Sequence, residues 1–329
     1  MDILIVTPPA GFPSGNRCTA TQWADRFEEL GHQARVAESY EGEDAEVLIA
    51  LHAARNHTAL VEFQRAHPNR KTVVVLTGTD LYPEASEDAL DSMKLADRIV
   101  VLQPGARESI PDRFRDKAHV VVQSASTGAA KACPPNPDAF EVCVIGHLRE
   151  VKDPMRTAAA ARLLPSESRL QIRHAGRIQE KKFVDLVERE EAENPRYRYL
   201  GELTPAEVER VIGSSRLFIL SSHHEGGARV LGEAVAAGTP ILAARNDATE
   251  TLLHDDYPGL FNPGDTSGLA TLLTRAETDS EFLDSLTKRI EALAPQFDPG
   301  REREAWRRLL AELQEEAVSN QLPRSTGSS

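Results

Sequence analysis

Cysteine is scarce in this chain. Cys18, Cys133 and Cys143 are three residues in 329, an odd number with neither the short paired spacing of a zinc site nor the density of a disulfide-built secreted domain. Met1 leads straight into the strand-like run DILIV with no leader pattern, and together these features predict a reducing, cytoplasmic setting. No apolar run approaches the ~18 residues that a membrane-crossing helix needs. Positive charge is also in deficit, with 38 Lys and Arg against 51 Asp and Glu for a net charge of −13. Without a long basic stripe, neither nucleic acid nor an anionic membrane is expected as a partner, and an anionic ligand must be held by a local cluster of donors.

What the chain does have is alternation. A length of 329 residues exceeds one comfortable core and predicts two domains. Short strand-like runs at Ile3–Val6, Gln33–Ala37, Ala45–Leu51, Thr72–Leu76, Arg98–Leu102 and His119–Val122 alternate with helical patterns, the first beginning near Thr21 after a Pro/Gly-rich turn segment. The expected class is α/β, a doubly wound parallel sheet with helices on both faces. Pro134, Pro135 and Pro137 interrupt the pattern, after which it restarts at Glu141–Ile145 and runs through Arg169–Ala175, Tyr197–Leu200 and Leu217–Leu220. The reading is therefore a first Rossmann-like domain over 1–130, a linker over 131–138, a second Rossmann-like domain over 139–297, a terminal helix over 298–318 and a disordered tail over 319–329. Two such halves joined by a hinge imply a cleft between them.

The chemistry concentrates where strands end. Phe218–Ala243 reads as a strand, a polar turn, and two glycines, Gly226 and Gly227, opening a helix. Such a turn brings backbone amides and a helix dipole against an anion such as a diphosphate. Glu225 and Glu233 bracket the glycines; carboxylates repel phosphate but pair well with the hydroxyl groups of a ribose or another sugar. Arg149 and Lys152 follow the strand Val142–Ile145 and together suit a diphosphate, Arg as a fork and Lys as a point charge, although a solvated loop carries the same residues. In the first half, Gly15, Asn16 and Arg17 suit an anion loop. Thr77, Gly78, Thr79 and Asp80 follow a strand directly, with Asp80 equally suited to a cap or turn. His52 and Arg55 follow another strand. His223 and His224 are adjacent and lack a third ligand at suitable spacing, so no metal site is assigned. Nor does the chain contain an Asp-x-Asp pair to hold a divalent ion on a diphosphate, and neither metal nor cofactor is expected.

These motifs resemble the GT-B glycosyltransferases of family 4. Gly146-x-Leu148 with Lys152 resembles their diphosphate loop. Glu225-Gly226-Gly227, Glu233-Ala234 and Ala237-Gly238-Thr239-Pro240 are similar to their Glu-x7-Glu signature, and Asn262-Pro263-Gly264-Asp265 to a turn they share. The resemblance implies a UDP-sugar donor with Glu233 on the ribose diol and Glu225 near the sugar hydroxyls. It places Arg149, Lys152 and the amides of Gly227, Ala228, Arg229 and Val230 on the diphosphate. The chain departs from the family in carrying His147 where Arg is usual, and Thr77-Gly78-Thr79 where His-Gly-Thr is common.

A narrower resemblance rests on four blocks: Gly15-Asn16-Arg17-x-Thr19-Ala20-x-x-Trp23-Ala24, Ala50-Leu51-His52-Ala53-x-Arg55, Leu76-Thr77-Gly78-Thr79-Asp80-Leu81-Tyr82, and Gly146-His147-Leu148-Arg149-x-x-Lys152-Asp153-Pro154. Together they resemble the selenosugar synthases of selenoneine biosynthesis, which join selenophosphate to UDP-N-acetylglucosamine or UDP-glucose. That resemblance implies a selenophosphate pocket of Gly15, Asn16, Arg17, Arg55, Thr77, Gly78 and Thr79. Arg149 and Lys152 would ease departure of UDP, Glu225 would bind the sugar, and His52 or Asp80 would serve as acid or base. A conventional glycosyltransferase with an alcohol or carbohydrate acceptor, a nucleotide-sugar epimerase and a non-catalytic sugar-nucleotide binder remain rival readings.

Overall fold

The computed structural model describes residues 1–9, 15–125 and 134–321, the last four by backbone alone. The chain divides into two units, Met1–Gln123 joined by the chain from Gly300 onward, and Ser124–Pro299. The segment expected as a linker and the tail beyond 321 fall partly or wholly outside the described residues.

The first unit is built on β1 (Asp2–Val6), α1 (Gly15–Glu29), β2 (Gln33–Ala37), β3 (Val47–Leu51), α2 (His57–Ala66), β4 (Lys71–Leu76), α3 (Glu87–Leu95), β5 (Arg98–Val101), α4 (Pro104–Ser109) and β6 (Ala118–Val120). Its strands pair in parallel in the order β2-β1-β3-β4-β5-β6. Because side chains alternate across a strand, each central strand feeds two cores. Leu4, Val6, Leu48, Ala50, Val74 and Leu76 face one way, packing with Phe63 and Met93. Ile3, Ile5, Val47, Ile49, Leu51, Val73 and Val75 face the other, packing with Trp23 and Phe27 of α1.

The second unit contains β7 (Phe140–Ile145), α5 (Arg156–Ala161), β8 (Leu170–Ala175), α6 (Lys182–Glu193), β9 (Tyr197–Tyr199), α7 (Pro205–Gly213), β10 (Leu217–Leu220), α8 (Arg229–Ala237), β11 (Ile241–Ala244), α9 (Asp247–Leu253), β12 (Leu260–Phe261), α10 (Thr266–Thr278) and α11 (Ser280–Leu293). Its parallel order, β12-β11-β10-β7-β8-β9, reverses direction between β7 and β10. In open α/β sheets the carboxyl ends of the strands at such a reversal are where a ligand crevice forms.

Three findings differ from the sequence reading. The first helix begins at Gly15 instead of near Thr21, so Gly15, Asn16 and Arg17 form its first turn and not a loop. Helices α9 and α11 were not anticipated. Helix α9 is set by Asn246, whose side chain accepts from the amides of Ala248 and Thr249 while Thr249 Oγ1 accepts from the Asn246 amide, a reciprocal cap. The Asp279 side chain caps α11 by accepting from Phe282 N.

The last helix, α12 (Pro299–Gln321), returns to the first sheet. Trp306, Leu309, Leu310 and Leu313 enter the core that holds Trp23 and Phe27. The Trp306 ring meets Trp23 edge-on with centroids 4.7 Å apart and Phe27 with centroids 5.0 Å apart. Glu302, buried in the same contact, accepts from Trp23 Nε1 at 2.7 Å and Gln22 Nε2 at 3.2 Å, which satisfies an indole N–H that burial would otherwise strand. Among the described residues no helix is long and apolar enough to cross a membrane. Trp306→Ala is expected to cost the first unit about 3–5 kcal/mol, the usual range for a fully buried aromatic. Thermal or urea unfolding measures it, and a loss below about 1 kcal/mol would mean that α12 does not close that core.

Candidate functional site: loops at the reversal of the second sheet

Two loops leave the carboxyl ends of β7 and β10, and backbone contacts fix each in place. Gly146 N donates to Ala175 O at 2.9 Å, and Leu148 N donates to Arg177 O at 2.8 Å. A side chain at Gly176 would bring its Cβ within 1.9 Å of Gly146 O, so glycine is required for the approach. Arg177 N donates to His147 Nδ1 at 3.1 Å, making that nitrogen an acceptor. Burial pushes the His147 imidazole below its usual pKa; Glu202 opposes this, while Arg149, Lys152 and Arg177 reinforce it. Burial first, and then the neighbouring cations, disfavour a charged imidazole at His147, so Arg149 and Lys152 are the standing cations of this loop.

The same loop is fastened to the exit of β10. Ser221 Oγ donates to the carbonyl oxygens of Lys152 at 3.1 Å and Asp153 at 2.9 Å, and His223 N donates to Val151 O at 2.9 Å. Asp153 takes a left-handed conformation, φ 43°, and its carboxylate accepts from Arg156 Nε at 2.7 Å. The result is that Lys152 Nζ lies 2.6 and 2.7 Å from the two carboxylate oxygens of Glu225. The groups assigned from sequence to diphosphate and to sugar hydroxyls are here each other's partners.

Beyond Glu225 the buried pair Gly226 and Gly227 leads to Ala228, which caps α8 in the left-handed region at φ 45°, ψ 51°. The helix therefore opens at Arg229, not at the glycines, and the sparsely populated turn falls on a residue with a Cβ. One helical turn on, Arg229 Nε stands 3.1 Å from Glu233 Oε1. Burial pushes the mostly buried Glu233 carboxyl above its ordinary pKa; Arg229 opposes the shift and Glu209 adds to it.

In the first unit, His52 ends β3 in a left-handed conformation, φ 73°. Its Nε2 lies 3.0 Å from Thr79 Oγ1, and its Nδ1 lies 3.7 Å from Asp80 Oδ2. The buried Asp80 carboxylate accepts from the amides of Ala53 at 2.8 Å, Thr77 at 2.9 Å and Gly78 at 2.8 Å. Three amides occupy most of its acceptor capacity. In this geometry Asp80 has a structural part: it clasps the ends of β3 and β4 together and sets Thr79 against His52. Arg17 stands 3.7 Å from Glu38, both side chains about half exposed. Arg55 is exposed, with its amide 3.4 Å from His52 Nδ1, and Gly15 is exposed while Asn16 is half-buried. Sequence reasoning missed Ser221 and Gly176, whose parts are played through contacts distant in the chain and leave no local signature.

Two Rossmann-like units of all-parallel sheet place this chain in the GT-B class of fold. The architecture matches Anabaena Alr3699/HepE, solved with UDP and glucose, at a TM-score of 0.76 and 17% identity over 95% of this chain and all of that one. It also matches the sucrose-phosphate synthase of Thermosynechococcus elongatus at a TM-score of 0.75 and 13% identity, over 96% of this chain and all of that one. Residues 129–292 match the family described as glycosyl transferases group 1. Among curated relatives, the 2-deoxystreptamine N-acetyl-D-glucosaminyltransferase of Niallia circulans is 32% identical over 91 residues, 27% of this chain and 23% of that protein. The matches span about a quarter of the curated relatives' own length.

A carboxyl whose pKa is raised by folding binds protons more readily in the folded state, so it costs stability above its folded pKa and that cost vanishes below the unfolded value of 4.5. Glu233→Gln is accordingly expected to raise the melting temperature near pH 7.5 and to lose that advantage as the pH falls toward 4. Equal melting curves at pH 7.5 would contradict a carboxylate held there at the expense of the fold.

Proposed function

We propose that this protein transfers a sugar from a UDP-sugar, UDP-N-acetylglucosamine or UDP-glucose, to selenophosphate. The products are a 1-seleno sugar, UDP and phosphate, in a step of selenoneine biosynthesis. The observation that carries the donor half is the pairing of Lys152 with Glu225 at the reversal of the second sheet, flanked by Arg149 and by the turn into α8. A diphosphate seated there meets Arg149, Lys152 and the amides of Gly227, Ala228, Arg229 and Val230. Glu233, one helical turn further on, accepts from the ribose hydroxyls, and Glu225 from the sugar. The Alr3699/HepE structure with UDP and glucose and the N-acetylglucosaminyltransferase name of the Niallia relative support the choice of donor class.

The acceptor half rests on the four sequence blocks that resemble selenosugar synthases. Selenium attacks the anomeric carbon as the bond from that carbon to the diphosphate oxygen breaks, and UDP departs with its charge held by Arg149, Lys152 and the helix amides. Water then cleaves the Se–P bond, releasing phosphate and leaving selenium on the sugar. No side-chain nucleophile is required. His52, held against Thr79, is the acid or base best placed for the hydrolytic step, with Asp80 positioning it. Arg17, Arg55, Gly15, Asn16, Thr77, Gly78 and Thr79 receive the selenophosphate trianion.

Incubation with UDP-N-acetylglucosamine or UDP-glucose, with and without selenophosphate, followed by mass spectrometry, is expected to yield UDP and a selenium-containing sugar only when selenophosphate is present. A glycoside of an added alcohol in its place would establish a conventional acceptor, and consumption of donor without any acceptor would establish an epimerase.

A further inference from the structure

Lys152 gives two of its three ammonium donors to the two oxygens of the Glu225 carboxylate, at 2.6 and 2.7 Å. Glu225 is the more enclosed of the two, its side chain 8% exposed against 22% for Lys152. Ser221 and His223 anchor the backbone on either side of Lys152, so the ammonium can turn on its flexible stem while the loop stays in place. A diphosphate arriving at this loop must draw Lys152 away from Glu225. That leaves a nearly buried carboxylate without its cation and next to a new anion, a costly arrangement. Free nucleoside diphosphate brings no donor to that carboxylate, whereas an intact nucleotide-sugar brings sugar hydroxyl groups that donate to it as the lysine leaves.

Resting on the donor reading above, we propose that Glu225 is a specificity-determining residue. It stands in for the phosphate on Lys152, and through that competition it makes the site favour an intact nucleotide-sugar over the nucleoside diphosphate left after transfer. Once the sugar has been transferred, Glu225 reclaims Lys152 and helps expel the product. The carboxylate thus acts against binding of the very group that its neighbour attracts.

Isothermal titration of UDP and of UDP-N-acetylglucosamine, without acceptor, into the wild type, Glu225→Gln, Lys152→Gln and the double variant tests this. The amide is nearly isosteric with the carboxylate. Glu225→Gln is expected to bind UDP about tenfold more tightly than the wild type, the equivalent of one charged hydrogen bond no longer competing, and UDP-N-acetylglucosamine no more tightly. In the Lys152→Gln background the same change is expected to alter UDP affinity by less than about twofold, because residues paired as Lys152 and Glu225 are couple, and with the lysine gone the carboxylate has nothing left to compete for. UDP affinity unchanged or weakened in Glu225→Gln would overturn the inference while leaving the donor reading in place. A tenfold gain that persists without Lys152 would also overturn it, by reducing the effect to plain repulsion between charges. Failure of the wild type to bind either nucleotide would overturn both.

Discussion

The candidate site of the second unit is arranged around one ion pair. Lys152 and Glu225 come from loops on different strands, β7 and β10, and they meet where the strand order of the sheet reverses. Two enclosed charges at that place are stable only in each other's company. Everything around them maintains the meeting. Gly176 admits the Gly146 backbone, Ser221 ties down the carbonyls of Lys152 and Asp153, and Ala228 accepts a strained conformation so that α8 begins beside Glu225. Strain and buried charge concentrated in one crevice mark a place organised for something other than stability.

In the first unit the corresponding constraint is Asp80. Its carboxylate gathers amides from the ends of β3 and β4, which holds His52 in its left-handed turn and against Thr79. This cluster owes its rigidity to the sheet beneath, and the sheet owes one of its two covered faces to α1 and α12. The terminal helix is thus part of the first core, sealed by Trp23, Trp306 and the buried Glu302.

Elements whose signals are local were legible in the sequence. Strands Gln33–Ala37 and Leu217–Leu220 have the bounds that the sequence suggests. Leu217–Leu220, LFIL, is a short wholly apolar run of the kind a buried parallel strand favours. Helix α1 started earlier than read because the Pro/Gly-rich stretch before it looked like turn throughout, whereas glycine and asparagine also suit a helix start. Helices α9 and α11 went unread because their caps, Asn246 and Asp279, sit among polar residues that resemble a loop. The candidate site was legible as residue types at strand ends. Its pairing was not, because a lysine and a carboxylate seventy-three positions apart are brought together by topology, and the amides that claim Asp80 carry no side-chain identity at all.

The central claim is that the loops at the reversal of the second sheet receive a nucleoside diphosphate. Hydrogen–deuterium exchange followed by mass spectrometry, with and without saturating UDP, tests it most directly. The account predicts slowed exchange in residues 146–153 and 226–233, where the cation loop and the opening of α8 lie. Exchange that is unchanged in both segments while UDP is demonstrably bound would contradict it.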